Sequence, residues 1–119
     1  MTGLDAARLA ELEADLRALV ALLRASIESG REGVKPVRLD QPIGRLSRMD
    51  AMQQQSMLQA NRRAAQLRLA AAEGALRRIE QDEYGACVTC GEEVGFARLK
   101  ARPETPFCVS CQGKREASR

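Results

Sequence analysis

The chain has 119 residues, a formal net charge of +3 and 29% charged residues, with one Tyr, two Phe and no Trp. This length holds one domain, or one domain with an extension, and so few bulky residues exclude a rounded aromatic core. The charge is too small to argue for nucleic-acid binding by itself, and no apolar run approaches membrane-spanning length.

The N-terminus, Met1-Thr2-Gly3-Leu4-Asp5, lacks a basic segment followed by a long apolar one, so a cytoplasmic protein is expected. From about 5 to 29 the spacing of Leu9, Leu12, Leu16, Leu19, Leu23 and Ile27 predicts a helix. Steps of three and four residues put these side chains on one seam, with Arg8, Glu11, Glu13, Asp15, Arg17 and Arg24 on the other faces. Thr2 with Asp5 offers an N-terminal cap, and Gly30 and Gly33 are expected to close the helix. A tip connection of about 30–46 follows, in which Pro36 and Pro42 bar a continuous helix.

A longer helix is predicted over about 47–83, started by the capping-box pair Ser47 and Asp50 and stopped by Gly85. Its expected inward positions are Met49, Met52, Ser56, Ala60, Ala64, Leu67 and Ala71. An antiparallel hairpin about the tip then pairs Ile27 with Met49, Leu23 with Met52, Leu16 with Ala60, Leu12 with Ala64 and Leu9 with Leu67. Large side chains face small ones, which lets two helices approach closely. The Met and Leu stripe is accordingly read as packing, not as a ligand groove. This register leaves the end of the second helix beyond its partner, with Leu76 and Ile79 to be covered by Tyr84, Phe96, Leu99 and Phe107.

The last third carries all four cysteines, as Cys87-Val88-Thr89-Cys90 and Cys108-Val109-Ser110-Cys111 with seventeen residues between the pairs, and the chain has no His. A Cys-x-x-Cys turn aims two thiolates at one ion, and two such turns supply a closed tetrahedral Zn²⁺ site. Gly91 directly follows the first pair, where a left-handed residue finishes the turn, whereas the second pair has Gln112 there and Gly113 one later. Disulfides would need an oxidising compartment, and the spacing does not match ferredoxin-type iron–sulfur patterns. With four Cys ligands no position is left for water or substrate, and Glu92 and Glu93 sit in polar stretches, so a structural ion and no enzyme are expected. The fold class is mostly α: an antiparallel two-helix coiled-coil hairpin (1–83), then a small four-cysteine zinc-finger module with a short C-terminal helix (84–119).

The segment from Gln81 to Pro103, with Tyr84-Gly85-Ala86-Cys87 and Arg98-Leu99-Lys100-Ala101-Arg102-Pro103, together with Phe107-Cys108-Val109-Ser110-Cys111, resembles the zinc-finger signature of the bacterial DksA/TraR proteins. The resemblance covers about a quarter of the chain in motif and agrees with a hairpin of long helices over most of the rest. It implies a transcription regulator that binds no promoter DNA, inserts its coiled-coil tip into the secondary channel of RNA polymerase, and often acts with the alarmone ppGpp. Better-known members carry two aspartates three apart at the tip, with an alanine two residues after the second. Here Asp40 is followed by Ile43 at the third position, and alignment from the cysteines brings Gly44, Ser47 and Met49 to the acidic tip positions. With Arg45 and Arg48 beside them, polymerase binding without the usual effect is the expectation, because a cation and a carboxylate act oppositely near catalytic magnesium. Of the alarmone positions, Asn61, Arg98 and Arg102 match, while Ala64, Arg68, Ala71 and Gln112 stand where the family's other contacts fall.

Arg98, Lys100 and Arg102 can also offset the charge of a zinc tetrathiolate. Two further readings remain open. One is a zinc-stapled interaction module for another protein or for nucleic acid, through Arg62, Arg63, Arg68, Arg77 and Arg78. The other is a thiol redox sensor, since zinc-bound thiolates can be oxidised with release of metal.

Overall fold

A computed structural model describes the chain at residues 4–33 and 45–118. Pro36, Asp40, Pro42, Ile43 and Gly44, on which part of the tip expectation rests, lie outside these residues. Among the described residues four helices follow one another: α1 (Ala6–Gly33), α2 (Arg45–Glu80), α3 (Phe96–Ala101) and α4 (Val109–Ala117). The molecule is elongated, with principal extents of 62 × 31 × 20 Å.

α1 is capped by Asp5, whose Oδ1 accepts a hydrogen bond from the Arg8 backbone N–H at 2.7 Å, while Thr2 lies outside the described residues. It continues through Gly30 to Gly33, where the glycines were expected to end it. A glycine weakens a helix interior by about 1 kcal/mol without terminating it, and Arg31 and Glu32 are good helix formers. α2 already includes Arg45, so Ser47 lies inside its first turn and is not its cap. At the other end α2 stops at Glu80, before the Gly85 that was expected to stop it. Asp82 takes φ 58°, the Asp82 N–H donates to the Ile79 carbonyl at 3.2 Å, and the Glu83 N–H donates to the Arg78 carbonyl at 2.8 Å. That pair of bonds is a Schellman cap with aspartate in the left-handed position more often held by glycine.

The α1 seam lies as its spacing predicts. Leu12, Leu16 and Leu23 are buried and Leu9, Leu19 and Ile27 partly so, with Val20 added to them. The α2 seam does not. Met49, Met52 and Leu67 are 57%, 67% and 70% exposed, and Ser56, Ala60 and Ala64 also face solvent. The inward face of α2 instead carries Leu69, Ala72, Ala75, Leu76 and Ile79, one to two residues round the helix from the expected stripe.

The register of the hairpin differs as well. Leu23 was expected beside Met52, yet its neighbour Arg24 reaches Glu73 at 3.0 Å. The first half of α1 thus lies along the end of α2, and Leu12, Leu16 and Val20 join Ala72, Ala75, Tyr84 and Leu99 in one core. Leu76 and Ile79 are covered by α1 as well as by Tyr84, Leu99 and Phe96; Phe107 does not belong to this cluster. The physical cause is the finger, which docks on α1 and draws its start down to the base: Lys100 Nζ of α3 meets Asp15 Oδ2 at 2.8 Å and Glu11 Oε1 at 3.1 Å. Arg8 lies over the Phe96 ring, 5.1 Å from its centroid.

Candidate metal centre

The four cysteines converge from two different local structures. The first pair sits in a tight turn closed by the Gly91 N–H donating to the Cys87 carbonyl at 2.9 Å, with Gly91 at φ 78°. Only glycine adopts that conformation without strain, and here the sequence signal and the structure agree. The turn is flanked by a single antiparallel bridge between Ala86 and Glu93, in which the Cys87 N–H donates to the Glu92 carbonyl and the Val94 N–H to the Gly85 carbonyl.

The second pair needs no such glycine because it opens a helix. Cys108 is the N-cap of α4, and its Sγ accepts from the Cys111 N–H at 3.4 Å. One helical turn brings Cys111 back over Cys108, and Gly113 lies within α4 without a positive φ. This explains why the residues after the second pair carry no turn signal.

All four Sγ atoms lie within 4.8 Å of one another, and Cys90 Sγ and Cys108 Sγ are 3.7 Å apart. Zn–S bonds of about 2.3 Å in a tetrahedron require sulfurs about 3.8 Å apart, so the arrangement fits the ion. Cys87 and Cys111 are buried, Cys108 is half-buried and Cys90 is exposed. As free thiols they titrate very differently. At Cys87 burial disfavours the thiolate, but backbone N–H groups of Cys108, Cys90 and Thr89 outweigh it and hold the thiol down at about 6. At Cys111, hydrogen bonding to Cys108 and then burial push it up to about 12. A divalent cation offsets the crowding of negative charge that keeps Cys111 protonated. The site is a closed four-cysteine centre for one structural Zn²⁺.

The finger is also held by bonds that the cysteine spacing does not reveal. Tyr84 Oη donates to the Pro103 carbonyl at 2.9 Å, and Arg98 Nε donates to the Phe107 carbonyl at 3.1 Å, next to Cys108. Glu104 is 8% exposed and accepts from Arg68 Nε of α2 at 2.8 Å, while its Oε1 has no hydrogen-bond partner. Arg115 lies 4.4 Å from the Phe107 ring centroid. The finger helix α3 escaped the sequence reading; its signals are Gly95 before Phe96-Ala97-Arg98-Leu99-Lys100-Ala101 and Pro103 after it.

The remaining candidate residues are dispersed. Lys100 serves Asp15 and Glu11 on α1 instead of the thiolates. Asn61 lines a groove between α1 and α2 with Ser26, Ile27, Ser29, Leu58, Arg62 and Ala65, whereas Arg98 lies on α3 and Arg102 caps it. Leu99 of α3 shares a core with α1 and the end of α2, whereas Asn61 lies earlier on α2, so these alarmone candidates sit in different parts of the molecule. Of the tip residues, Arg48 and Met49 are exposed, Arg45 and Ser47 lie in the first turn of α2, and Asp40 and Gly44 are outside the described residues. The arginines proposed for nucleic acid do not form one stripe. Arg62 and Arg78 are half-buried, burial lowers the Arg78 pKa, and Arg68 is committed to Glu104.

Residues 82–117 match the family described as prokaryotic dksA/traR C4-type zinc finger. Among curated proteins, the RNA polymerase-binding transcription factor DksA of Haemophilus influenzae is 42% identical over 40 residues, 34% of this chain and 28% of that protein. The protein of the same name from Caulobacter vibrioides is 48% identical over 42 residues, 35% of this chain and 30% of that protein. The matched stretch therefore spans less than a third of either relative. Among solved structures, transcription factor DksA2 from Pseudomonas aeruginosa superposes with a TM-score of 0.75 at 23% identity, covering 96% of this chain and 87% of that one, a likeness of fold. The DnaK suppressor protein from Agrobacterium tumefaciens C58 gives a TM-score of 0.62 at 27% identity over 96% of this chain and 99% of that one. With its four converging thiols, the segment 82–117 is a C4 zinc finger similar in sequence to the dksA/traR type, on a chain whose fold is like that of DksA2.

Proposed function

We propose that this protein is a cytoplasmic, non-enzymatic transcription regulator that binds RNA polymerase through its secondary channel and binds no promoter DNA. The observation that carries this reading is the finger at 82–117, shared in sequence with proteins named RNA polymerase-binding transcription factor DksA. The hairpin architecture shared with DksA2 over 96% of the chain supports it, because a slender two-helix rod suits a narrow passage. In this reading Zn²⁺ fixes the base of the rod and the tip acts.

At the expected tip the sequence positions Asp40, Gly44, Arg45, Ser47, Arg48 and Met49 lack the acidic pair of better-known DksA/TraR proteins, so we expect channel occupancy with an altered effect on transcription. Direct dependence on ppGpp is not part of the proposal, since Asn61, Arg98 and Arg102 are divided between α2 and the finger.

Purified core polymerase should retain the zinc-loaded protein, and a second channel-binding factor should compete for it. Absence of binding, or binding indifferent to a blocked channel, would overturn the reading. Transcription in vitro with the wild type, Arg45→Asp and Arg48→Asp then reports on the tip, the acidic variants being expected to gain the usual effect.

A further inference from the structure

The stripe of α2 formed by Met49, Met52, Ser56, Ala60, Ala64 and Leu67 has the three- and four-residue steps of a packing seam, yet it faces away from α1. Met49, Met52 and Leu67 are 57%, 67% and 70% exposed, and Met57 beside them is 65% exposed. α2 therefore carries two apolar faces, of which one packs on α1 among the described residues. From Met49 to Leu67 the outer face runs about 27 Å at 1.5 Å per residue, the length of one docked helix. Its middle is small, Ser56, Ala60 and Ala64, and its ends are large and flexible. A backbone can approach the centre closely while methionines adapt at the end.

The charges choose the occupant. Between Asp50 and Glu73 the sequence of α2 has no carboxylate; of its arginines there, Arg62 is half-buried and Arg68 is paired with Glu104, so the charge the stripe offers is exposed Arg63 within it and exposed Arg48 at its start. A second copy suits this poorly. A two-fold pairing that sets Met49 against Leu67 brings Arg48 and Arg63 of both copies into one contact, with no carboxylate of α2 between Asp50 and Glu73 to answer Arg63. An apolar seam bordered by glutamate or aspartate answers both features. We propose that the outer face of α2, from Met49 to Leu67, docks an acidic amphipathic helix of a partner protein.

The face is narrow, well below the area of a standard stable interface, so the contact should be weak and dependent on salt. A fluorescent 21-residue peptide with a leucine seam and flanking glutamates, titrated with the zinc-loaded full chain, tests this. Binding is expected with a Kd on the order of tens of micromolar, as small interfaces give. It should be at least tenfold weaker for the same peptide with lysines in place of glutamates, and at least tenfold weaker for the Met52→Asp/Leu67→Asp variant. Both replaced side chains project into solvent, so circular dichroism should show the variant as helical as the wild type. Equal binding by the variant, equal binding of the lysine peptide, or no binding of the acidic peptide at about 1 mM, the limit of a weak contact, would overturn the proposal. So would sedimentation showing a wild-type dimer that the double substitution abolishes, since the face would then belong to a second copy. No polymerase enters the experiment, and its outcome stands apart from the polymerase reading.

Discussion

Tyr84 Oη donates to the carbonyl oxygen of Pro103 across 2.9 Å, inside the junction where α2 ends and the finger begins. Burial pushes the phenol's pKa well above its ordinary value, with nearby Arg78 pulling the other way. The folded state therefore keeps a proton that the unfolded chain gives up near pH 10. Stability from this group is complete below about pH 10 and falls as pH rises further, because only the unfolded form ionises readily. As Tyr84 is the one tyrosine, phenolate absorbance should rise together with unfolding at alkaline pH. Tyr84→Phe should remove this part of the alkaline loss while costing about 1 kcal/mol at neutral pH through the unpaired carbonyl.

The buried pair at the base makes a second prediction. Arg68→Met leaves Glu104 as an uncompensated charge that is 8% exposed, and because Arg68 itself is 47% exposed the cost should be about 2 kcal/mol. The double variant Arg68→Met/Glu104→Met should recover most of that loss. Urea unfolding of the two single variants and the double variant measures the coupling, and simple addition of two losses would contradict this account.

Two leucines with similar sequence credentials should behave differently. Leu16 is fully buried among Leu12, Ala72, Ala75 and Leu99, so Leu16→Ala should cost about 3 kcal/mol. Leu67, 70% exposed, should change stability by less than about 0.5 kcal/mol when replaced by alanine. Chemical denaturation midpoints would show the contrast.

That contrast marks what the sequence could reveal. The α1 seam was legible because α1 has one apolar stripe, which both α2 and the finger cover. α2 has two stripes, and periodicity alone could not say which one meets α1. The choice is made far away in sequence, by Lys100 gripping Asp15 and Glu11 and by Tyr84 and Leu99 filling the base, and these contacts also set the register. The metal site was readable from four residues because thiol spacing dictates its chemistry directly. α3 was not, since six residues are too few for a helical period to emerge.

Removal of zinc should unfold the finger and loosen the core that rests on it. Structural zinc is worth on the order of 10 kcal/mol in zinc-finger peptides. Cys87→Ser should lower zinc affinity and the melting temperature together, measured by metal release to a chromogenic chelator and by circular dichroism. A Cys87→Ser protein that keeps its zinc and melts normally would be incompatible with the closed four-cysteine centre.

Gly91→Ala isolates the backbone contribution. A Cβ at Gly91 would meet nothing within 4 Å, so the cost arises from the φ of 78° and should be about 1 kcal/mol. Gly113→Ala, in the interior of α4 and equally free of contacts, should be neutral or slightly stabilising. Melting of the two zinc-loaded variants compares them directly.

The helical setting of the second cysteine pair makes the ion a nucleator as well as a staple. α4 has nine residues, below the length at which an isolated helix persists in water. Cys108 caps it and Cys111 sits in its first turn, so binding the ion fixes the dihedral angles whose ordering makes helix initiation costly. Metal loading and helix formation at the C-terminus should therefore be a single event, visible as helical signal that rises in step with zinc.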